Sequence, residues 1–226
     1  MRVGVLSDIH SNRIALEAVL DDLEGRDIDA LVHAGDVVGY NPWPAACLGA
    51  IRERGIPTVM GNHDRAVASG TAFRFNEMAR AGVEHAREQL NDDQLEWLAA
   101  LPDERFEIDG RVHIVHGHPD DPDRYTYPQE FSADMVRGDA DVLVMGHTHV
   151  QGHAVFEAGG ERKIAMNPGG VGQPRDGDPR AAYSVLDLDA MAVAEYRVEY
   201  DVDRVIEAVV EAGLPERIGA RLKKGR

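Results

Sequence analysis

Five short apolar runs in this 226-residue chain end on side chains of metal-binding type. They are VGVLSDIH at 3–10, ALVHAGD at 30–36, PTVMGNHD at 57–64, VHIVHGH at 112–118 and VLVMGHTH at 142–149. Their polar ends supply Asp8, His10, Asp36, Asn62, His63, Asp64, His116, His147 and His149. Carboxylates, imidazoles and one amide oxygen, with no thiolate, suit manganese, iron, zinc or a similar divalent ion rather than a closed structural zinc. Even seven of these nine are too many ligands for one ion and suit two that share a bridging carboxylate. Such a pair clamps the attacking and leaving oxygens of an in-line displacement and lowers the pKa of bound water from ~15.7 to about 7. A hydroxide held between the ions is then the nucleophile. Phosphorus is the favoured electrophile, because two dications offset a phosphoryl charge that an acidic protein repels.

Ligands converge only if neighbouring strands carry them, and the order of elements provides that. Residues 2–7 are a strand-type run, followed by a helix that Ser11 can cap and that runs to about Glu24. A strand at 30–34, a helix opened by Pro42 and Pro44 and closed near Gly55, and a strand at 57–60 complete βαβαβ. This implies a parallel sheet with right-handed crossovers, whose ligand sites lie at the carboxyl ends of its strands. Gly35, Gly61 and Gly146 stand in the turns, where a sharp exit from a strand favours glycine. Two helices at 76–90 and 92–101 follow, the second capped by Asn91, then a succession of strands and helices near 202–212 and 215–223. The fold class expected is α/β: two packed mixed β-sheets flanked by helices, in one domain spanning 1–226.

Composition narrows the function. The net charge is −16 and the only lysines are Lys163, Lys223 and Lys224, so a protein that grips nucleic-acid backbones is disfavoured. A cytoplasm of high ionic strength and an ordinary acidic surface both fit this charge. No apolar stretch approaches the ~18 residues of a membrane span, and MRVGVLSDIH has no signal-peptide pattern. The single cysteine, Cys47, lies among alanines and reads as small core filler; it allows no internal disulfide and fits a reducing cytoplasm. His33 and His113 lie inside strand runs and His85 in a helix, which fits structural roles, and His153 fits the surface. His118 fits either a pocket wall or a solvated loop; Arg13 and Arg175 fit phosphate contact or salt bridging. The turn-rich GHPDDPDRYTYP, with Tyr125 and Tyr127, fits a loop over the pocket or a plain surface loop.

Taken in order, Asp8-x-His10, Gly35-Asp36, Gly61-Asn62-His63-Asp64, His116 and Gly146-His147-Thr148-His149 resemble the motif set of the calcineurin-like metallophosphoesterases. SDIHSN, GDVVGYNP, MGNHD and NPGGVGQPRDGDPRAAYSVLD resemble the small prokaryotic phosphoesterase and phosphodiesterase branch in particular. The resemblance implies that Asp8, His10 and His149 hold a first ion, that Asn62, His116 and His147 hold a second, and that Asp36 bridges them. It implies that His63 faces the substrate, with Asp64 orienting its ring. Manganese is the ion first expected, with iron, zinc, nickel or magnesium as other candidates. The loop 167–173 resembles a family segment near the site, with Gly170 where serine is frequent; His118 likewise replaces a common serine.

The activity implied is hydrolysis of small phosphodiesters, or of monoesters, by a cytoplasmic enzyme whose partner is a small-molecule substrate. A protein serine/threonine phosphatase is the less suited alternative, since GDVVGY lacks that branch's arginine and GNHD replaces GNHE. A dinucleoside-polyphosphate hydrolase shares the chemistry. A non-catalytic scaffold of the same fold is the alternative of another class, though such relatives lose residues that are all present here.

Overall fold

The computed structural model describes residues 1–73 and 75–226. β1 (Arg2–Leu6) leads through α1 (Arg13–Glu24) to β2 (Ala30–His33), which pairs parallel to it, Val3 opposite Ala30 and Leu6 opposite His33. Four helices come next: α2 (Pro44–Glu53), α3 (Asn62–Ser69), α4 (Glu77–Gln89) and α5 (Asp92–Ala99). The strands β3 (Glu104–Glu107), β4 (Val112–Val115), β5 (Val142–Val144), β6 (Gly152–Ala158), β7 (Glu161–Asn167), β8 (Ala181–Asp187) and β9 (Ala192–Val198) follow, and α6 (Val202–Glu211) and α7 (Glu216–Leu222) come last.

The strands form two mixed sheets, ordered β2-β1-β8-β9 and β3-β4-β5-β7-β6. This is the expected class, and the packing explains why the strands read as continuous apolar runs. Val3, Val5 and Val32 of the first sheet meet Ile114, Val142, Val144 and Ile164 of the second in one shared core. Side chains alternate across a strand, so Leu143 and Met145 face the opposite way, against Phe131 and the segment before β5. The outer face of the first sheet packs Leu6, Tyr183 and Val185 against Leu16, Leu20 and Leu48 of α1 and α2. Burial on both faces removes the polar alternation that a half-exposed strand shows.

Three local expectations are corrected. Asn12, not Ser11, caps α1 by accepting the Ala15 N–H at 3.2 Å. The Ser11 hydroxyl instead accepts the Gly39 N–H at 3.1 Å, tying the first ligand loop to the second. The run 57–60 does not extend as a strand: Thr58 alone bridges His33, in parallel. Pro57 has no N–H to add to a ladder, and the Met60 N–H turns away to the Pro102 carbonyl. GNHD is the start of α3 rather than a strand-end turn, with Asp64 reaching back to accept the Gly61 N–H at 3.1 Å.

The parallel pairs β1–β2 and β4–β5 carry the ligands. All four strands point their carboxyl ends to the same edge of the two-sheet core, where the loops are stitched together. The Ala34 N–H donates to Leu6, the Asp8 N–H to Gly35, and the Gly146 N–H to His116.

Candidate metal centre

Five of the expected ligands have left-handed backbone: Asp8 (φ 54°), His10 (φ 47°), Asp36 (φ 61°), His147 (φ 67°) and His149 (φ 56°). This conformation is uncommon for residues other than glycine and clusters at functional sites, because surrounding structure has to hold it. Each strand therefore ends by turning its next polar side chain sharply inward. Close approach does the rest. A Cβ on Gly61 would lie 2.0 Å from Asp36 Oδ1, and one on Gly146 2.0 Å from Ser7 Oγ, so only glycine admits these loops.

The side chains meet. Asp8, His10 and His149 form one group of potential ligands, and Asp36, His116 and His147 another; His10, Asp36 and His63 link them. All but Asn62 are almost wholly buried. Outer contacts aim each ring. His10 Nδ1 faces the Val38 carbonyl at 3.3 Å, His116 Nδ1 the Ala34 carbonyl at 2.7 Å, and His149 Nδ1 the Gln173 carbonyl at 2.5 Å. A ring that donates from Nδ1 to a carbonyl presents a lone pair at Nε2. His147 is held the other way, with Nε2 at 3.2 Å from the Asp123 carbonyl, which leaves Nδ1 for the site.

In the first group the inward atoms are electron pairs facing electron pairs. His10 Nε2 and His149 Nε2 lie 3.1 Å apart, and Asp8 Oδ1 lies 3.2 Å from His149 Nε2. Asp8 Oδ2 is held by the Ser7 hydroxyl at 2.7 Å and the His147 N–H at 3.0 Å, whereas Oδ1 is buried with no hydrogen-bond donor. Around the second group, His116 Nε2 faces Asp36 Oδ2 at 3.3 Å and Asn62 Oδ1 at 3.2 Å. A divalent cation satisfies such acceptor sets, so the residues fit metal binding; Asp36 Oδ2 also lies 3.5 Å from His10 Nε2, which links the two groups.

The electrostatics agree. Burial pushes His63 down to about 4 and His147 to about 3, and holds His10 and His149 well below the usual imidazole range, so these rings are neutral near pH 7. His116 is the exception: burial works to lower it, but the Asp36 carboxylate outweighs that and raises it to about 9. Burial, reinforced by Asp36, raises Asp8 to about 7. A metal ligand must be a neutral imidazole or an ionised carboxylate. Loading at pH 7 is therefore expected to release protons, chiefly from His116 and also from Asp8. Affinity then rises with pH and levels off above about 9. Calorimetric titration with manganese in buffers of different ionisation enthalpy measures this release; a heat independent of buffer contradicts it.

One assigned role is corrected. Asp64 does not touch the His63 ring, whose buried Nδ1 has no hydrogen-bond partner. Its carboxylate accepts the N–H groups of Asp36 (2.8 Å), Val38 (3.1 Å) and Gly61 (3.1 Å). Asp64 therefore pins the Asp36 loop to the start of α3. The His63 ring is positioned by packing, 4.6 Å from both Phe75 and Tyr40 and 4.7 Å from His10.

The remaining sequence candidates divide cleanly. His118 is buried in its own turn, accepting the Asp120 N–H at 3.1 Å, and joins no ligand group. Arg13 pairs with Glu17 at 3.5 Å and lies over the Trp43 ring. The buried rings of His33 and His113, and His85 facing the Pro42 carbonyl at 3.3 Å, are structural. His153 meets Glu195 at the surface, and Cys47 is buried, its thiol pushed up by burial. Tyr125 does cover the site, its ring stacked on His147 at 4.0 Å. The segment 167–173 also serves the site: Val171 N–H bonds Ser7, Gly172 N–H bonds Asp8, and a Cβ on Gly170 would press to 3.1 Å from His149. Tyr40, Phe75 and Ser7 were not foreseen. Only Ser7 and Tyr40 lay within quoted motifs, SDIH and GDVVGY.

Among the described residues no helix is long and apolar enough to cross a membrane. A crystallised metallophosphoesterase from Sphaerobacter thermophilus is 35% identical, covers 100% of this chain and 99% of its own, and superposes with a TM-score of 0.84. A hypothetical protein from Pyrococcus horikoshii OT3, at 21% identity, shares the fold with a TM-score of 0.86 over 100% of this chain and 98% of that one. An uncharacterized protein of Methanocaldococcus jannaschii is 33% identical over 99% of this chain and 98% of its own length. The calcineurin-like phosphoesterase superfamily domain matches residues 1–191. With that match over the segment that carries every ligand candidate, the chain belongs to the calcineurin-like phosphoesterase superfamily.

Proposed function

We propose that this protein is a hydrolase of small phosphodiesters that works with two divalent cations, manganese foremost, in the cytoplasm. The observation that carries the reading is the pair of ligand groups, Asp8–His10–His149 and Asp36–His116–His147, meeting at the Asp36 carboxylate. In this reading Asp8, His10 and His149 hold one ion, Asn62, His116 and His147 the other, and Asp36 belongs to both. Bound there, the cations supply a water-derived nucleophile near neutral pH and neutralise phosphate charge.

The chain's own residues do the rest. The carbonyls of Val38, Ala34 and Gln173 hold His10, His116 and His149 in register. His63, neutral at pH 7 and packed beside His10, faces the reacting phosphoryl group and steadies the departing oxygen by donating a hydrogen bond from its ring N–H. Asp64 acts only by position, through the three N–H groups it accepts. Phe75 and Tyr40 wall the His63 ring and exclude water from it.

The test is a panel of model substrates, bis(4-nitrophenyl) phosphate against 4-nitrophenyl phosphate, each with manganese, nickel, zinc or magnesium. Metal-dependent turnover with the diester preferred is expected. Bound metal without turnover of either ester would overturn the reading in favour of a scaffold.

A further inference from the structure

A cavity of about 300 Å³ opens beside the ligand cluster, lined in part by Tyr125, Thr148, Arg175 and Arg221. Its lining adjoins the candidate ligands. Thr148 stands between His147 and His149 in sequence, and the Tyr125 ring lies on His147. Arg175 extends from just beyond the Gln173 carbonyl that aims His149, and its own N–H donates to the His149 carbonyl at 3.2 Å.

The two arginines differ from many others in this acidic chain. Arg65, Arg105 and Arg111 each sit against a carboxylate. Among the described residues neither Arg175 nor Arg221 has a carboxylate side chain within 4.0 Å. The side-chain partners of Arg175 are neutral: its Nη2 donates to Gln173 Oε1 at 3.0 Å and reaches the Tyr40 hydroxyl at 3.4 Å. Arg221 Nε donates to the main-chain oxygen of the last residue, Arg226, at 2.9 Å, which leaves its two Nη groups for the cavity that Arg226 also lines. Burial and the nearby Arg175 charge both act against the Arg221 cation and push its pKa down. Two half-buried guanidiniums around one cavity repel each other, and an oxyanion placed between them removes that repulsion while taking charge-assisted hydrogen bonds.

Arg221 reaches this place from α7, beyond residues 1–191 that the family domain matches. The helix is docked by Ile218 and Leu222 in a cluster with Tyr40 and Val209. A Cβ on Gly219 would come within 3.0 Å of Ile206, so α7 lies close on α6. The Tyr40 ring that receives α7 also packs 4.9 Å from His10 and 4.6 Å from His63. The last helix is thus anchored to the wall of the reaction centre.

We propose that Arg221 and Arg175 form a second anion subsite that selects phosphoesters whose leaving group itself carries a phosphate or carboxylate. The subsite rests on the phosphoesterase reading above and names the substrate class that reading leaves open. Arg221 determines specificity by direct contact with the leaving group's anion; it has no part in the bond-breaking step.

Arg221→Gln tests this. Methyl 3-carboxy-4-nitrophenyl phosphate and methyl 4-nitrophenyl phosphate differ only by a carboxylate on the leaving group, and inorganic pyrophosphate against phosphate probes the second-phosphate case. Loss of one charge-assisted bond, at about 1.4 kcal/mol per tenfold, should raise KM for the carboxylated diester and Kd for pyrophosphate by about tenfold or more. KM and kcat for the uncarboxylated diester should stay within about twofold, and Arg221→Lys should recover part of the loss. Pyrophosphate binding is measured calorimetrically on metal-free protein as well, so this arm stands even if no ester is turned over. Native manganese-loaded protein that hydrolyses neither ester sinks the phosphoesterase reading alone. Equal losses on both esters in both variants, or no change in pyrophosphate affinity and none on the carboxylated ester, overturn the subsite.

Discussion

Asp36→Asn is expected to strip the protein of both metal ions and to lower activity on the order of a thousandfold, the several kcal/mol that metal ions supply to such reactions. The geometry makes this carboxylate hard to replace. Oδ2 faces His116 Nε2 at 3.3 Å and His10 Nε2 at 3.5 Å, one ring from each ligand group. Oδ1 accepts the His63 N–H at 2.8 Å. An amide that keeps an oxygen toward the His63 N–H must turn its NH₂ toward the two rings, so the one anionic atom shared by both groups is lost. The fold should persist, because the Asp36 N–H bond to Asp64 at 2.8 Å belongs to the backbone and survives. Elemental analysis after dialysis, with circular dichroism as a folding control, measures the effect. Full metal content in the variant would refute the bridging role.

His63→Ala should behave in the opposite manner, with turnover down by about 10²–10⁴ and metal content close to native. Asp36 Oδ1 bonds the backbone N–H at position 63, which alanine retains. What alanine removes is the neutral ring between Phe75, Tyr40 and His10. The alternative is explicit in the geometry, since His63 also lies within ligand distance of His10 and Asp36. If His63→Ala loses an ion along with its activity, His63 is a ligand rather than the group that meets the leaving oxygen. Steady-state kinetics at saturating manganese, paired with metal analysis of the same sample, separates the two.

The metal centre was legible in the sequence to the extent that its chemistry resides in side chains. Aspartate and histidine at the ends of apolar runs mark Asp8, His10, Asp36, His116, His147 and His149, and the structure gathers these six into its ligand groups. What stayed hidden resides in the backbone. Asp64 looked like a partner for a neighbouring ring, yet its partners are three N–H groups, which have no residue type to read. The left-handed turns at five ligands contradict local preference, which favours glycine there, and only tertiary contacts impose them. The same applies to α3, whose Asn-His-Asp start is weakly helical by itself and is fixed by Asp64 meeting Gly61 and the Asp36 loop. Phe75 gave no signal, because an aromatic residue between helices reads as core. Arg221 gave none either, since α7 shows in sequence only as a short amphipathic helix.

The two-sheet fold followed from simpler physics. Apolar runs too short for core helices had to be strands, and their burial on both faces, as with Val142 and Val144 against Leu143, required material on each side. The run at 57–60 failed because proline and the coming turn leave one residue, Thr58, able to pair.

Anomalous diffraction from crystals grown with manganese tests the central claim most directly. Two peaks are expected, one among Asp8, His10 and His149 and one among Asn62, His116 and His147, with Asp36 touching both. A single peak, or density that leaves Asp36 in contact with neither, would contradict a shared two-ion centre.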